Sequence, residues 1–255
     1  MKALLFALLL MVSCLHCSAQ EKIKMYIFYT PSHVEMLEKF FLPSLTAHDD
    51  YEIISEVYEQ QCESGEFMKA GWIETMHHKV DLVIRAIKEN WGKVFVHADV
   101  DIQFFGPTQE IICKAMEGKD LVIQQDDPYG LMCAGFFACR GNEKTLKLWQ
   151  TIKRVMNEEI HDQDVLNVLV RKRNDQFNIV WDYLPRTQFC GGGSFTGKHW
   201  EPGLALQVPE DLRMHHANYT YGIENKLKEL EYVYDVMRGY KSKKSLNLVD
   251  EIVAA

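Results

Sequence analysis

Two aspartates separated by one residue, Asp99 and Asp101, stand directly behind the apolar run Lys93–Ala98 (KVFVHA). Carboxylates so spaced can reach one ligand from neighbouring positions, and an oxygen donor pair suits Mg²⁺ or Mn²⁺. Such an ion can bridge to phosphate oxygens and neutralise a diphosphate leaving group, a contribution of several kcal/mol in a transition state. Further on, Met214-His215-His216-Ala217-Asn218 follows a strand-like Leu204–Val208, and His216 is succeeded by Gly222 and Lys226. A neutral His216 imidazole can complete a metal shell. Gly222 lets backbone approach a phosphate closely, and Lys226 near a helix start can contact a phosphate oxygen. Each feature also has a plainer reading: acidic turns are common, the histidines can form a surface pair, and Lys226 can be an ordinary solvated helix residue.

Two further features stay open between local structure and chemistry. Asp162-Gln163 precedes a short helix carrying Asn167, so Asp162 is either an N-cap or, with Gln163, the polar edge of a sugar pocket. Lys79 lies at the margin of an apolar helical stripe, where it can snorkel along the core or reach a phosphate.

The elements that must position these groups alternate between strands and helices. Lys24–Tyr29 reads as a first buried strand, followed by a helix over His33–Leu42 with Ser32 as N-cap and Pro43 as terminator. Tyr51–Glu56 is a second strand. Apolar residues at Ile73, Met76, Val80, Val83, Ile87 and Trp91 follow a helical rhythm closed by Asn90 and Gly92. Lys93–Ala98 is the third strand, with Asp99 and Asp101 at its carboxyl end, and Ile102–Phe105 continues extended to Gly106-Pro107. Helices are expected over Gln109–Glu117, Asn142–Asn157, Asp164–Val170 and Asn225–Tyr240, and strands over Leu121–Gln124, Gly135–Cys139 and Phe177–Leu184. Residues 188–203 read as an irregular loop and 241–255 as a weakly patterned tail. This order implies one α/β domain over residues 20–240 with a mostly parallel sheet, and in such sheets ligands bind beyond the carboxyl ends of strands.

Composition narrows the classes. The chain has 255 residues, with 28 Lys+Arg against 36 Asp+Glu and a net charge of −8, which excludes a nucleic-acid binder working through a diffuse basic surface. Residues 1–19 have a basic start, the apolar run Ala3–Val12 and small residues before Ala19, the pattern of an export signal. Met11-Val12-Ser13-Cys14 offers a lipid-anchor alternative at Cys14, and a buried first helix is the plainer one. The run is too short to span a bilayer. Cys62, Cys113, Cys133, Cys139 and Cys190 remain, an odd set without CxxC spacing, expected as small core residues rather than a zinc module or disulfide framework. Cys133 and Cys139 on one strand stand about 20 Å apart and cannot bridge.

VFVHADVDIQFF (94–105), AGFFACR (134–140), DQDVLN (162–167), LPRTQFCGG (184–192) and HANYTYGIENK (216–226), with Thr30 and Lys79 ahead of them, come in a telling order. The set resembles the nucleotide-diphospho-sugar transferase family, GT-A glycosyltransferases that include plant cell-wall xylosyl- and arabinosyltransferases. The resemblance implies a Rossmann-like GT-A fold and transfer of a sugar from a nucleotide-diphosphate donor to an acceptor hydroxyl with retained configuration. It implies Asp101 as principal Mn²⁺ (or Mg²⁺) ligand, Asp99 on the ribose or the metal, and His216 as a further ligand. Gly222 and Lys226 would lie on the diphosphate, Asp162 and Gln163 along the donor sugar as catalytic residues, and Thr30 by the base or ribose. Two departures stand out: Cys133-Ala134 takes the place of an Asn often found before Gly135, and Asn218-Tyr219-Thr220 is a glycosylation sequon inside the diphosphate loop. A glycan there would obstruct the site, so Asn218 is expected to be unmodified.

Two other functions remain in view. A strand followed by DxD also opens haloacid-dehalogenase-like phosphatases, with the first Asp as nucleophile and Asp126-Asp127 helping to bind Mg²⁺. A transferase fold without turnover, binding carbohydrate or nucleotide only, is the other. An export signal suits the lumen of the secretory pathway, the periplasm or secretion. The acceptor is not legible.

Overall fold

The computed structural model describes residues 22–63 and 65–254, so residues 1–19, where an export signal is expected, and Cys14 lie outside the described residues. In chain order the elements are β1 (Lys24–Tyr29), helical turns α1 (residues 31–46), β2 (Glu52–Val57), α2 (Trp72–Glu89), β3 (Val94–Ala98), β4 (Ile102–Phe104) and α3 (Gln109–Ala115). Then come β5 (Leu121–Gln125), β6 (Met132–Arg140), α4 (Glu143–Val155), α5 (Asp162–Arg171), β7 (Trp181–Tyr183), β8 (Phe189–Gly191), β9 (Met214–His216) and α6 (Ile223–Ala254). A six-stranded sheet is ordered β2-β1-β3-β6-β5-β7, and a separate small sheet is ordered β4-β9-β8. In the large sheet β6 alone pairs antiparallel with its neighbours β3 and β5; the remaining pairings are parallel. The expected mostly parallel α/β architecture is therefore present.

Period-2 alternation places one set of β1 side chains, Tyr26 and Phe28, against α2, α4 and α5, with Trp149 and Phe137 stacked at 5.1 Å. The other set, Met25 and Ile27, meets Phe41, Ile112, Phe136 and the small sheet. In β6 this alternation slips. Ala134 faces the first layer and Phe136 the second, and the β5–β6 register shifts between Ile123 and Gln124. A bulge of this kind bends a strand and re-aims its residues, and bulges are over-represented beside active sites. Here Gly135 is the hinge of the slip, and its carbonyl accepts from the Asp99 amide at 2.7 Å.

Several sequence expectations are corrected. Pro43 does not end the first helix: a π turn over Leu37–Phe41 precedes it, Pro43 falls at the start of the next α turn, and Ser32 caps nothing. The wider turn relieves the ring's clash with the preceding carbonyls, so the helix continues past it. The strand expected over Phe177–Leu184 is confined to Trp181–Tyr183. Leu204–Val208 is irregular, whereas Phe189–Gly191, inside the expected loop, and Met214–His216 are strands. The last helix runs on through the expected tail to Ala254. Cys62, Cys133, Cys139 and Cys190 are buried as expected, but Cys113 is exposed rather than in the core. Among the described residues no helix is long and apolar enough to cross a membrane.

Candidate active site

The carboxyl ends of β1 and β3, the start of β6 and the β9–α6 loop converge on a cavity of about 460 Å³. Asp99 leaves β3 and Asp101 enters β4, while β9 pairs antiparallel with β4 and sets Ile102 opposite His216. One donor atom each from Asp99, Asp101 and His216 lies within 4.8 Å of the others. His216 Nε2 is 3.1 Å from Asp101 Oδ1. The histidines are not a surface pair. Both are buried, and strand alternation turns His215 away to Glu229 (2.8 Å) while His216 faces the aspartates.

The set fits a divalent cation. His216 Nδ1 lies 3.1 Å from Gln124 Oε1; donating there leaves the Nε2 lone pair free for a metal, the arrangement in which an outer hydrogen bond orients a ligating imidazole. Gly135 supplies the space. A Cβ at that position would lie 2.6 Å from Asp99 Oδ2 and would run into the His216 ring. Replacing Gln124 by Leu should leave the fold in place and weaken Mn²⁺ binding by roughly 10- to 100-fold, the usual effect of losing such a partner, as calorimetric titration would measure.

Cations flank both aspartates. Lys226, one turn into α6, pairs with Asp101. Lys79, buried in α2, sits 3.1 Å from Asp99 and 3.6 Å from Asp162. Burial alone would push the carboxyls of Asp99 and Asp101 up, but Lys79 brings Asp99 down to about 2, and Lys226 with His216 holds Asp101 well below the usual range. Lys79 thus does not snorkel: its ammonium is buried in the cavity wall. It is the counter-charge of two carboxylates, and Lys79→Met should cost about 3–5 kcal/mol by leaving them uncompensated, lowering the melting temperature by roughly 10 °C. Asp162 is not an N-cap: His161 occupies that position, and Asp162 is buried in the first turn of α5.

Around this centre the structure adds contacts between named residues, and it adds Gln124 and His97, which sequence reasoning missed. Gln163 accepts from the Ala134 amide (2.9 Å) and donates to Asp126 (2.9 Å). Asp126 also accepts from Asn218 Nδ2 (2.5 Å), the atom a glycan would occupy. Burial raises the Asp126 carboxyl, against the pull of His216, Asn218 and Gln163. Asn167 ties α5 to β6 through the Met132 amide and carbonyl. Buried His97, 3.4 Å from Asp99, has no hydrogen-bond partner at either ring nitrogen. The readable signal for Gln124 and His97 was a polar residue inside an otherwise apolar strand. Thr30, within 3.0 Å of His33 Nδ1, and Gly222, at φ +83°, line the same cavity. Every sequence-predicted site residue is therefore brought to one place. Asp127 is not part of the acidic set: its Oδ1 accepts the Tyr129 and Leu131 amides, which removes the second acidic pair the phosphatase reading required.

With fold and cavity in hand, the comparisons define a class. Residues 47–230 match the model of the nucleotide-diphospho-sugar transferase family, and the chain belongs to that family of glycosyltransferases. A glycosyltransferase involved in glycosylating the major capsid of PBCV-1 is 12% identical, with a TM-score of 0.57 over 83% of this chain and 100% of its own. The bifunctional glycosyltransferase WbbM is 10% identical, with a TM-score of 0.53 over 87% of this chain and 52% of its own. At such identities the likeness is one of fold. No curated protein sequence gives a match.

Proposed function

We propose that the protein is a divalent-cation-dependent glycosyltransferase that moves a sugar from a nucleoside-diphosphate donor to an acceptor hydroxyl with retention at the anomeric carbon. The observation that carries this is the convergence of Asp99, Asp101 and His216 within 4.8 Å, flanked by Lys226 and Lys79, in a cavity wide enough for a ligand. Mn²⁺ or Mg²⁺ on these three residues would supply Lewis-acid neutralisation of the diphosphate. Lys226 and the Gly222 backbone turn hold the phosphate oxygens, Thr30 lies by the base or ribose, and Lys79 keeps Asp99 and Asp162 ionised. Gln163, braced by the Ala134 amide and Asp126, and Asp162 line the sugar.

In the transfer, the acceptor oxygen forms a bond to the anomeric carbon as the bond from that carbon to the phosphate oxygen breaks. The electron pair leaves with the nucleoside diphosphate, and the acceptor hydroxyl proton passes to a departing phosphate oxygen. Retention requires attack on the face the leaving group vacates. Export by residues 1–19 into a compartment supplied with nucleotide sugars is part of the same proposal.

The test offers UDP- and GDP-sugars to the purified chain with Mn²⁺ or EDTA and follows nucleoside diphosphate release, with NMR assignment of the product's anomeric configuration. Release of one diphosphate that stops with EDTA is expected, with an unchanged configuration in the product. Binding without consumption would make the chain a non-catalytic module, and inversion would overturn the stereochemical part.

A further inference from the structure

One side chain beside the cation ligands weakens the core and has no part in the transfer chemistry. His97 belongs to β3, whose other members Val94, Phe95, Val96 and Ala98 are all apolar. Strand alternation puts it on the same face as Phe95, in the layer packed by α2. Its ring is fully buried, 5.2 Å from that of Phe137. Neither ring nitrogen has a hydrogen-bond partner among the described residues. A buried imidazole left so is destabilising, and an apolar side chain would fill the place without that loss. Violations of good packing of this kind concentrate at functional sites.

What His97 faces is Asp99. Its Nε2 lies 3.4 Å from Asp99 Oδ1, about half an ångström beyond a full charge-assisted bond. A lone pair on Nε2 would oppose the carboxylate, so the ring proton belongs on Nε2. The second carboxylate oxygen is already held, because Lys79 Nζ is 3.1 Å from Oδ2.

The three cation ligands are unequally confined. The Asp101 side chain, paired with Lys226, is 7% exposed, and that of His216, braced by Gln124, is 5% exposed. The Asp99 side chain is 28% exposed and stands just past the end of β3. A carboxylate fixed at one oxygen can still turn about that contact, and a donor at the other oxygen removes the freedom. Ligating carboxylates are commonly oriented by such an outer hydrogen bond. Resting on the metal-dependent transferase reading above, we infer that His97 is a positioning residue whose Nε2–H holds Asp99 Oδ1 and so orients that carboxylate for the divalent cation.

The experiment titrates Mn²⁺ calorimetrically into the wild-type chain, His97→Leu and His97→Gln, beside thermal melts in EDTA. His97→Leu should bind Mn²⁺ at least about tenfold more weakly. It should melt at or above the wild-type temperature, because an apolar side chain replaces an unpartnered polar one. His97→Gln, whose amide N–H can stand in for Nε2–H, should bind within about threefold of wild type. A loss in His97→Leu that His97→Gln does not restore, or that comes with a melt well below wild type, would make His97 a packing residue and overturn the inference. Wild-type affinity in His97→Leu would overturn it too. If His97→Leu does not fold, the wild-type protein decides. Its ¹⁵N–¹H histidine spectrum, with His97→Gln identifying the resonance, should show the His97 proton on Nε2, and a bare Nε2 would overturn the inference. No Mn²⁺ binding by the wild-type chain would remove the metal reading and this inference with it, whereas normal binding by wild type and His97→Leu alike would remove the inference alone.

Discussion

Asp101→Asn is expected to lower sugar transfer by a factor on the order of 10³ or more while leaving the protein folded. The substitution preserves shape and removes one negative charge from the oxygens that face His216 Nε2 and Lys226 Nζ. The Asp101 carbonyl, which accepts from the Ala217 amide at 2.9 Å, is untouched, so β4 and β9 stay joined. What disappears is the anionic ligand for a cation whose contribution to the transition state is about 4 kcal/mol, equivalent to some three decades in rate. Steady-state release of nucleoside diphosphate, beside a thermal melt within a few degrees of wild type, checks both halves. Activity within tenfold of wild type would remove Asp101 from the role of principal ligand.

Gly135→Ala should be almost as damaging for a steric reason. The added methyl would lie 2.6 Å from Asp99 Oδ2 and against the His216 imidazole. Neither neighbour is free to yield: Asp99 is held by Lys79, and His216 by Gln124 and its strand. Gly135 lies where β5 skips from Phe137 to Cys133, but its carbonyl accepts from the Asp99 amide at 2.7 Å, so moving its backbone would move the ligand as well. Overpacking of this kind costs roughly 1–3 kcal/mol, and the separated ligands should bind Mn²⁺ at least 100-fold more weakly, a larger loss than removing an outer partner alone. Calorimetric Mn²⁺ titration with a parallel melt measures both. Wild-type Mn²⁺ affinity would mean that Gly135 does not shape the site.

How much of this was legible beforehand depended on whether the signal was local. The β1, β3 and α2 patterns were readable because apolar periodicity is a property of neighbouring residues, and the DxD at the end of β3 followed from them. His216 and Lys226 were readable as candidates from residue type and spacing, and the order of the remaining segments, which carried the family resemblance, joined them to the DxD. Non-local features were not legible. Met214–His216 is a three-residue strand that exists through its pairing with β4 and β8, too short for any alternation to announce it. Lys79 was ambiguous because its two partners, Asp99 and Asp162, lie on other elements. The β6 slip that turns Gly135 toward the ligands appears only when β5 is laid beside it. Pro43 misled because the π turn that accommodates it leaves no signature in composition.

The measurement that bears most directly on the site is titration of UDP and GDP into the purified chain in Mn²⁺ and, separately, in EDTA. If Asp99, Asp101 and His216 hold the cation that receives the diphosphate, one nucleotide should bind at least 100-fold more tightly with Mn²⁺ than with EDTA, and Asp101→Asn should abolish the difference. Equal binding in EDTA, or no binding of either nucleotide in Mn²⁺, would contradict a metal-held diphosphate at these residues.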